Sequence, residues 1–501
     1  MSKVTRRGFI GITAASVGAG VACAGPPFPG GLVSDEQVIE PSRTVPVMAR
    51  TDVLVLGGGP AGLSAALAAT REGVEVVLVE RYGCFGGVIT QNMMGSIGWY
   101  RYAKTVDSGG IGREFELRAK KMGGTTNVLD TLDDASLVPM LELMGLVKDG
   151  EPTYELLDTE YFKHVADEML REAGVVPILH CASVDAIRIG DEIRGVITES
   201  KSGRQAILAE RVIDATGDAD VAARAGAPFR KADKKRLMEC TVNCAVSNVD
   251  LDEYKAYQLQ KGGVLSDWST TSGKEDNMPS THIKKVFEEA KKSGELPEDA
   301  HILAFPGYYT ENGEIPSLNA VHLHGIDPTD VWDLTRAEIE GRKQIMMALA
   351  VLRKHAPGFN KAQLRNIAFS LGTRESRKIL GGYEITEHDV KNQARFDDAV
   401  GVCPEFIDGY GVLYLPTTGR YFHVPYRIMV PQKVENLLVA GRCVAGDRVS
   451  HAATRQMVCC TTTGQAAGVA AAVSIKDAVS CRQVNISTVQ ARLEKQGVRV
   501  S

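Results

Sequence analysis

A chain of 501 residues, 44% hydrophobic and 24% charged, has the make-up of ordinary globular protein and the length for two to three domains. Its net charge of −5, with no Lys/Arg stripe, gives no electrostatic basis for binding nucleic acid. Ten cysteines in a chain this long do not form a disulfide framework, and neither Cys240/Cys244 nor Cys459/Cys460 has zinc-type spacing, so no metal site is expected.

The first 24 residues have the three parts of an export peptide. Lys3, Arg6 and Arg7 form a basic start, and Phe9 to Val21 is apolar or small. Ala22-Cys23-Ala24 offers a small-residue exit, and the apolar stretch is too short to anchor stably in a bilayer. Thr5-Arg6-Arg7-Gly8-Phe9-Ile10 resembles a twin-arginine signal. That resemblance implies export of an already folded protein and a periplasmic or secreted location. Residues 25–50, with "GPPFPGG" and "EPSRTVP", read as a linker.

From Thr51 the pattern changes. "DVLVLGGG" is a buried parallel strand, "PAGLSAALAATREG" a helix of small residues, and "VEVVLVE" a second buried strand. "TEYFKHVADEMLREAG" follows as an amphipathic helix, and hairpin signals at Gly190-Asp191 and Ser202-Gly203 separate three strands. Residues 51–237 thus read as the first part of an α/β domain with a parallel sheet. Residues 238–369 are more polar and mixed, with a helix at "DLTRAEIEGRKQIMMALAVLRKH", and read as a separate substrate lobe. Residues 370–475 return to the first domain, with a strand at "VENLLVAGR" and a helix at "TTTGQAAGVAAAVSI"; residues 476–501 are a C-terminal segment. No run of 18 apolar residues after the signal suggests a membrane span.

Gly57-x-Gly59-x-x-Gly62, with Pro60 and Ala61 between, follows a strand and opens a helix. Glu80 ends the next strand, 18 residues after Gly62 (80 − 62). The glycines permit a tight turn and close approach to a pyrophosphate, which the helix N-terminus attracts. Glu80 can accept hydrogen bonds from a ribose diol. Three further features favour FAD over NAD. "RYGCFGGVIT" carries Arg81, the Gly86-Gly87 turn and Val88, a second glycine turn like that of flavoproteins. Val212 to Asp218, containing Ala215, Thr216 and Gly217, resembles the "ATG" strand end of two-dinucleotide-binding-domain flavoproteins. "NLLVAGRCVAGD", with Gly441 and Arg442, and "GQAAGVAAA" resemble their C-terminal block, in which a helix N-terminus faces the flavin. Val184, Arg455 and Gln456 complete the candidate cofactor contacts.

The blocks "DATGDADVA" from Asp214, "GIDPTD…LTRAEIEGR" from Gly325, "GTRESRKILGGY" from Gly372 and "PYRIMVP…NLLVAGR" from Pro425 together resemble a bacterial family of FAD-dependent oxidoreductases. The resemblance runs from about Asp52 to the final "LEKQGVRV". It implies an α/β fold: a Rossmann-like FAD-binding domain of the glutathione-reductase three-layer type, with an inserted α+β substrate lobe. It implies FAD, with non-covalent binding favoured, but does not fix the substrate.

A flavin dehydrogenase gains from a base near neutral pH. His322 and His324 alternate in "NAVHLHG" and are expected on one strand face. His324, His451 and His423 are the candidate bases, and Arg374, with Arg377 nearby, is a candidate anion anchor. Cys84 and Cys443 are possible points of flavin attachment, and Cys459-Cys460 a possible redox pair. The expectation is an exported dehydrogenase or oxidase that moves hydride from a C–OH or C–N centre of a small polar substrate to flavin N5, with a periplasmic acceptor or O2 as electron sink. The alternatives are a flavin-dependent reductase of an activated double bond with a periplasmic donor, or a non-catalytic FAD-binding protein. Nothing in the sequence sets the oligomeric state.

Overall fold

The computed structural model describes residues 42–95, 107–127, 155–258, 282–310, 312–410 and 419–501, with short pieces at 32–34, 37–38, 40, 147–148, 151–152 and 412–414. The segment expected to be an export signal, with Arg6, Arg7 and Cys23, lies outside the described residues.

Strand β1 (Val47–Leu56) leads through helix α1 (Pro60–Arg71) to β2 (Val76–Val79). Helix α2 (Thr159–Ala173) precedes β3 (Val176–Ile178), and β4 (Ala182–Ile189), β5 (Glu192–Ser200) and β6 (Gly203–Asp214) form a meander whose turns fall at the two expected hairpins. A second unit follows: β7 (Cys240–Ser247), β8 (Ile302–Thr310), β9 (Glu314–Leu323), helix α3 (Val331–His355) and β10 (Gln363–Ile367). The chain then supplies β11 (Leu437–Val439) and helix α4 (Met457–Lys476).

The main sheet runs β4-β5-β6-β1-β2-β3, with β11 also paired to β6, seven strands in all. β1, β2, β3, β6 and β11 are parallel, and β4 and β5 extend the sheet antiparallel from β6. Val53, Leu54, Val55 and Leu56 are at most 1% exposed, as a strand covered on both faces requires. This is the expected α/β fold with a Rossmann-like sheet.

The small residues of α1 and α4 have a packing cause. A Cβ on Gly464 would overlap the carbonyl oxygen of Ala61, and one on Gly468 that of Ala65. The two helix backbones therefore touch, and every residue of α1 from Pro60 to Thr70 is buried. Helix α4 is long and apolar enough to cross a membrane by composition, yet 94% of its hydrophobic window is buried inside the protein. A helix apolar all round belongs in a core, and α4 fills this one.

The second sheet is antiparallel, in the order β8-β9-β7-β10. Helix α3, capped by Asp330 through Trp332 N and Asp333 N, lies over it. Gly341 lets α3 approach closely, since a Cβ there would stand 2.5 Å from Val242 Cγ2. Val242, Leu318, Ile345, Leu352 and Phe359 belong to a core distinct from that of the main sheet.

Candidate cofactor site and substrate chamber

The two glycine turns lock together. Gly57, at φ +97°, donates its N–H to Val79 O at 2.8 Å, and a Cβ there would stand 2.5 Å from Ala215 O. A Cβ on Gly62 would overlap Gly57 O, so neither position admits another residue without movement. Gly86 N–H donates to Gly58 O at 2.8 Å, and a Cβ on Gly87 would stand 2.7 Å from Gly59 Cα. Glu80, 6% exposed, holds the cradle from behind: its carboxylate accepts from Gly58 N at 2.6 Å and from Tyr82 N at 2.9 Å.

These turns border a cavity of about 710 Å³, within the range of small-molecule sites. Gly57, Gly59, Pro60 and Ala61 line it at the N-terminus of α1, where the helix dipole favours a phosphate. Glu80, Arg81, Gly87, Val88 and Val184 line it alongside, Arg81 exposed. Gly62 and Gly86 stand behind the wall and shape it.

The end of β6 supplies the next stretch of wall, Ala215 to Asp218. Asp214, wholly buried, accepts from Thr216 N at 3.0 Å, Thr216 Oγ1 at 2.7 Å and Ala222 N at 2.8 Å, which fixes the turn. Burial pushes the Asp214 carboxyl up, against the pull of those hydrogen bonds. Gly217, at φ +81°, leaves room for Arg442, whose Nη2 would stand 2.6 Å from a Cβ there. Arg442 pairs with Asp218 at 3.0 Å, and its Nη1 is buried with no hydrogen-bond partner, a donor left over at the cavity wall. Burial depresses the guanidinium, but Asp218 more than offsets this and the net shift is upward. Gly441, Arg455, Gln456 and Met457 line the cavity at the N-terminus of α4. The close backbone turns, the buried carboxylate, two helix N-termini and the leftover donor fit FAD.

The rest of the lining comes from the second sheet and its neighbours. Ser317 and Asn319 alternate along β9 and Thr241 lies on β7; all three line the cavity, with Asn92 across from them. Asn92 Nδ2 donates to Thr241 Oγ1 at 3.2 Å, and Ser317 Oγ to Met93 O at 2.8 Å. Arg374 pairs with Glu239, and Arg455 with Asp408 at 2.9 Å. Leu334, Leu371 and Phe406 add apolar surface. On this side the carboxylates in the lining are Glu338 and Asp408; among the described residues no histidine lines the cavity.

The candidate bases therefore sit elsewhere. His324 falls one residue beyond the end of β9, exposed, its ring packed edge-on to His301 at 4.6 Å. It does not share a strand face with His322, which is 6% exposed and inside the strand, because β9 ends at Leu323. His423 accepts from Phe396 N at 3.2 Å and packs on Tyr421, away from the cavity. His451 lies behind the wall, fully enclosed, donating from Nε2 to Arg374 O at 3.0 Å while Nδ1 has no partner. Burial, then Lys378, holds its imidazole well below the usual range. Arg374 alone of the four candidate catalytic residues lines the cavity. Arg377 pairs with Asp220 at 2.9 Å instead. Cys84 and Cys443 do not line the cavity, and all nine cysteines among the described residues are free thiols.

Sequence reasoning missed Asn92, Thr241, Ser317, Asn319 and Asp408. The alternation of Ser317 and Asn319 with Leu318 and Ala320 was the one local signal of a polar strand face.

A sequence profile of FAD-dependent oxidoreductases matches residues 52–493. Among solved structures, a geranylgeranyl bacteriochlorophyll reductase-like protein from Thermoplasma acidophilum is 14% identical, covers 89% of this chain and 82% of its own, and gives a TM-score of 0.42. The p-nitrophenol 4-monooxygenase of Pseudomonas putida is 14% identical over 90% of this chain and 85% of its own, with a TM-score of 0.43. The myxobacterial chondrochloren halogenase is 11% identical over 89% and 79%, with a TM-score of 0.43.

Proposed function

The chain belongs to the family of FAD-dependent oxidoreductases, and we propose that within it the protein is a dehydrogenase or oxidase acting on a C–OH or C–N centre of a small polar molecule. FAD, when bound, supplies the hydride acceptor. The glycine turns and α1 hold its pyrophosphate and Glu80 its ribose diol, while the N-terminus of α4 favours negative charge at the flavin end. The observation that carries the reading is the polar chamber wall: Asn92, Thr241, Ser317, Asn319 and Arg374 converge on the same cavity as the glycine cradle. Such groups orient a substrate rich in hydroxyl, amine or carboxyl functions. FAD is held non-covalently in this reading: neither Cys84 nor Cys443 reaches the cavity wall, and burial pushes up the two thiols that do, Cys181 and Cys460, away from the reactive thiolate form.

The twin-arginine-like start supports export after folding, because a buried cofactor must be loaded before the chain crosses a membrane. Electrons then pass to a periplasmic acceptor or O2. The test is anaerobic bleaching of the flavin band by a panel of alcohols, amines, hydroxy acids and amino acids. Bleaching by any of them supports the proposal. A flavin that only dithionite reduces, and that an activated alkene then reoxidises, would replace it with the reductase reading.

A further inference from the structure

Three ion pairs stand around the chamber: Arg374 with Glu239, Arg455 with Asp408 and Arg442 with Asp218. Three guanidiniums face three carboxylates, so their formal charges cancel. With Glu338 also in the lining, a substrate anion entering here meets hydrogen-bond donors but no surplus of positive charge, and its binding adds one negative charge.

His322 lies behind the first pair. Its Nδ1 is 3.4 Å from Glu239 Oε1, the oxygen that also accepts from Arg374 Nη1. Its Nε2 is 3.1 Å from Asn319 Oδ1, and both Asn319 and Arg374 line the cavity. A carboxylate only accepts, so Nδ1 carries the proton. In the neutral ring Nε2 is an acceptor, and Asn319 must turn its NH2 toward it, leaving Oδ1 for the chamber. In the protonated ring Nε2 donates, Asn319 offers Oδ1, and its NH2 turns to the chamber. Burial is the largest influence on His322 and lowers it; the hydrogen bond to Glu239 opposes this and Arg374 adds to it. The other groups facing it are Asp408, whose charge favours the protonated ring, and Cys240 on the paired strand, whose thiol burial pushes up to about 12 and keeps neutral. His301 accepts the His322 backbone N–H at 2.8 Å and packs its ring on His324.

We propose that Arg374, Asn319 and His322 form a proton-coupled carboxylate subsite. A substrate carboxylate docks on the guanidinium of Arg374, His322 takes up one proton from solvent, and the Asn319 orientation seen here, Oδ1 to Nε2 and NH2 to the chamber, is held by the protonated ring. The proton offsets the negative charge that the anion adds. His322 and Glu239 are positioning residues, since neither lines the cavity. The inference rests on the chamber being the substrate site.

The test uses the FAD-loaded full chain with two probes of equal shape, glycolate and glycolamide. Flavin spectral perturbation gives affinities from about pH 5.5 to about 8.5, and calorimetry in buffers of different ionisation enthalpy counts protons. Glycolate binding is expected to take up close to one proton and to weaken about tenfold per pH unit above the depressed His322 value. Glycolamide binding is expected to take up none. His322→Gln, which keeps partners for Glu239 and Asn319, flattens the glycolate profile; Arg374→Lys weakens glycolate more than glycolamide. Unchanged proton uptake in His322→Gln, equal behaviour of the two probes, or no glycolate binding overturns the subsite. Bleaching by a neutral alcohol alongside any of those results leaves the hydride-transfer reading standing, so the two failures are separable.

Discussion

Glu80→Gln is the most direct test of how the cradle holds FAD. The Glu80 carboxylate is 6% exposed and accepts from Gly58 N at 2.6 Å and Tyr82 N at 2.9 Å. Glutamine has the same shape but only one acceptor oxygen, so one of those two N–H groups faces an NH2. A hydrogen bond to a charged group contributes about 1.5–3 kcal/mol net, and an orphaned buried donor costs a similar amount. The ribose diol loses its charged acceptor as well, so the loss of FAD affinity is set by one such bond. At about 1.4 kcal/mol per tenfold, Kd for FAD rises roughly 10- to 150-fold. The assay is quenching of flavin fluorescence on adding back FAD to apoprotein, run in parallel with FMN. FMN has a phosphate and the isoalloxazine but no adenosine ribose, so its affinity should change little. An FAD Kd within twofold of wild type, or an equal loss for FMN, refutes the assignment of Glu80 to the ribose.

Gly468→Val drives a side chain into the carbonyl of Ala65 at the contact of α1 and α4; it lowers stability by about 1–3 kcal/mol or more, read as a fall in the urea midpoint. His451 is neutral when folded and its value lies well below that of the unfolded chain, so its contribution is complete above about pH 6.5 and is lost as pH falls toward the folded value. Each such histidine adds a slope of about 1.4 kcal/mol per pH unit in that window. His451→Gln keeps a donor for Arg374 O and removes one histidine's slope from urea stability measured between about pH 6.5 and 5; an unchanged slope counts against the assignment. Acid precipitation of wild type, Cys84→Ser and Cys443→Ala should release the flavin into the supernatant in all three, since neither thiol lines the cavity; colour in the wild-type pellet that vanishes in a variant identifies an attachment site.

The half of the site that was legible in the sequence is the half built from contiguous backbone. Strand, glycine turn and helix N-terminus from Val53 to Leu63 form one local unit, and Gly62 is required by a neighbour that the same unit supplies, Gly57 O beneath it. Glu80 followed from the length of one β-α-β crossover. The turns at Ala215–Asp218 and Gly441–Arg442 were legible for the same reason: a parallel strand must end at the same edge of the sheet as its neighbours, as β6 does beside β1 and β11 does beside β6.

The chamber was decided by tertiary structure alone. Asn92, Thr241, Asn319, Arg374 and Asp408 come from five separate stretches of chain, and no period or spacing relates them. The choice between His322 and His324 turned on where β9 stops, which the alternation of residues does not reveal: the strand ends at Leu323, leaving one histidine enclosed beside Glu239 and the other in solvent. The sequence determined the cofactor, because a pyrophosphate is held by local backbone geometry. The folded chain determined the charge pairing around the chamber, because ion pairs such as Arg442 with Asp218 join residues that only packing brings together.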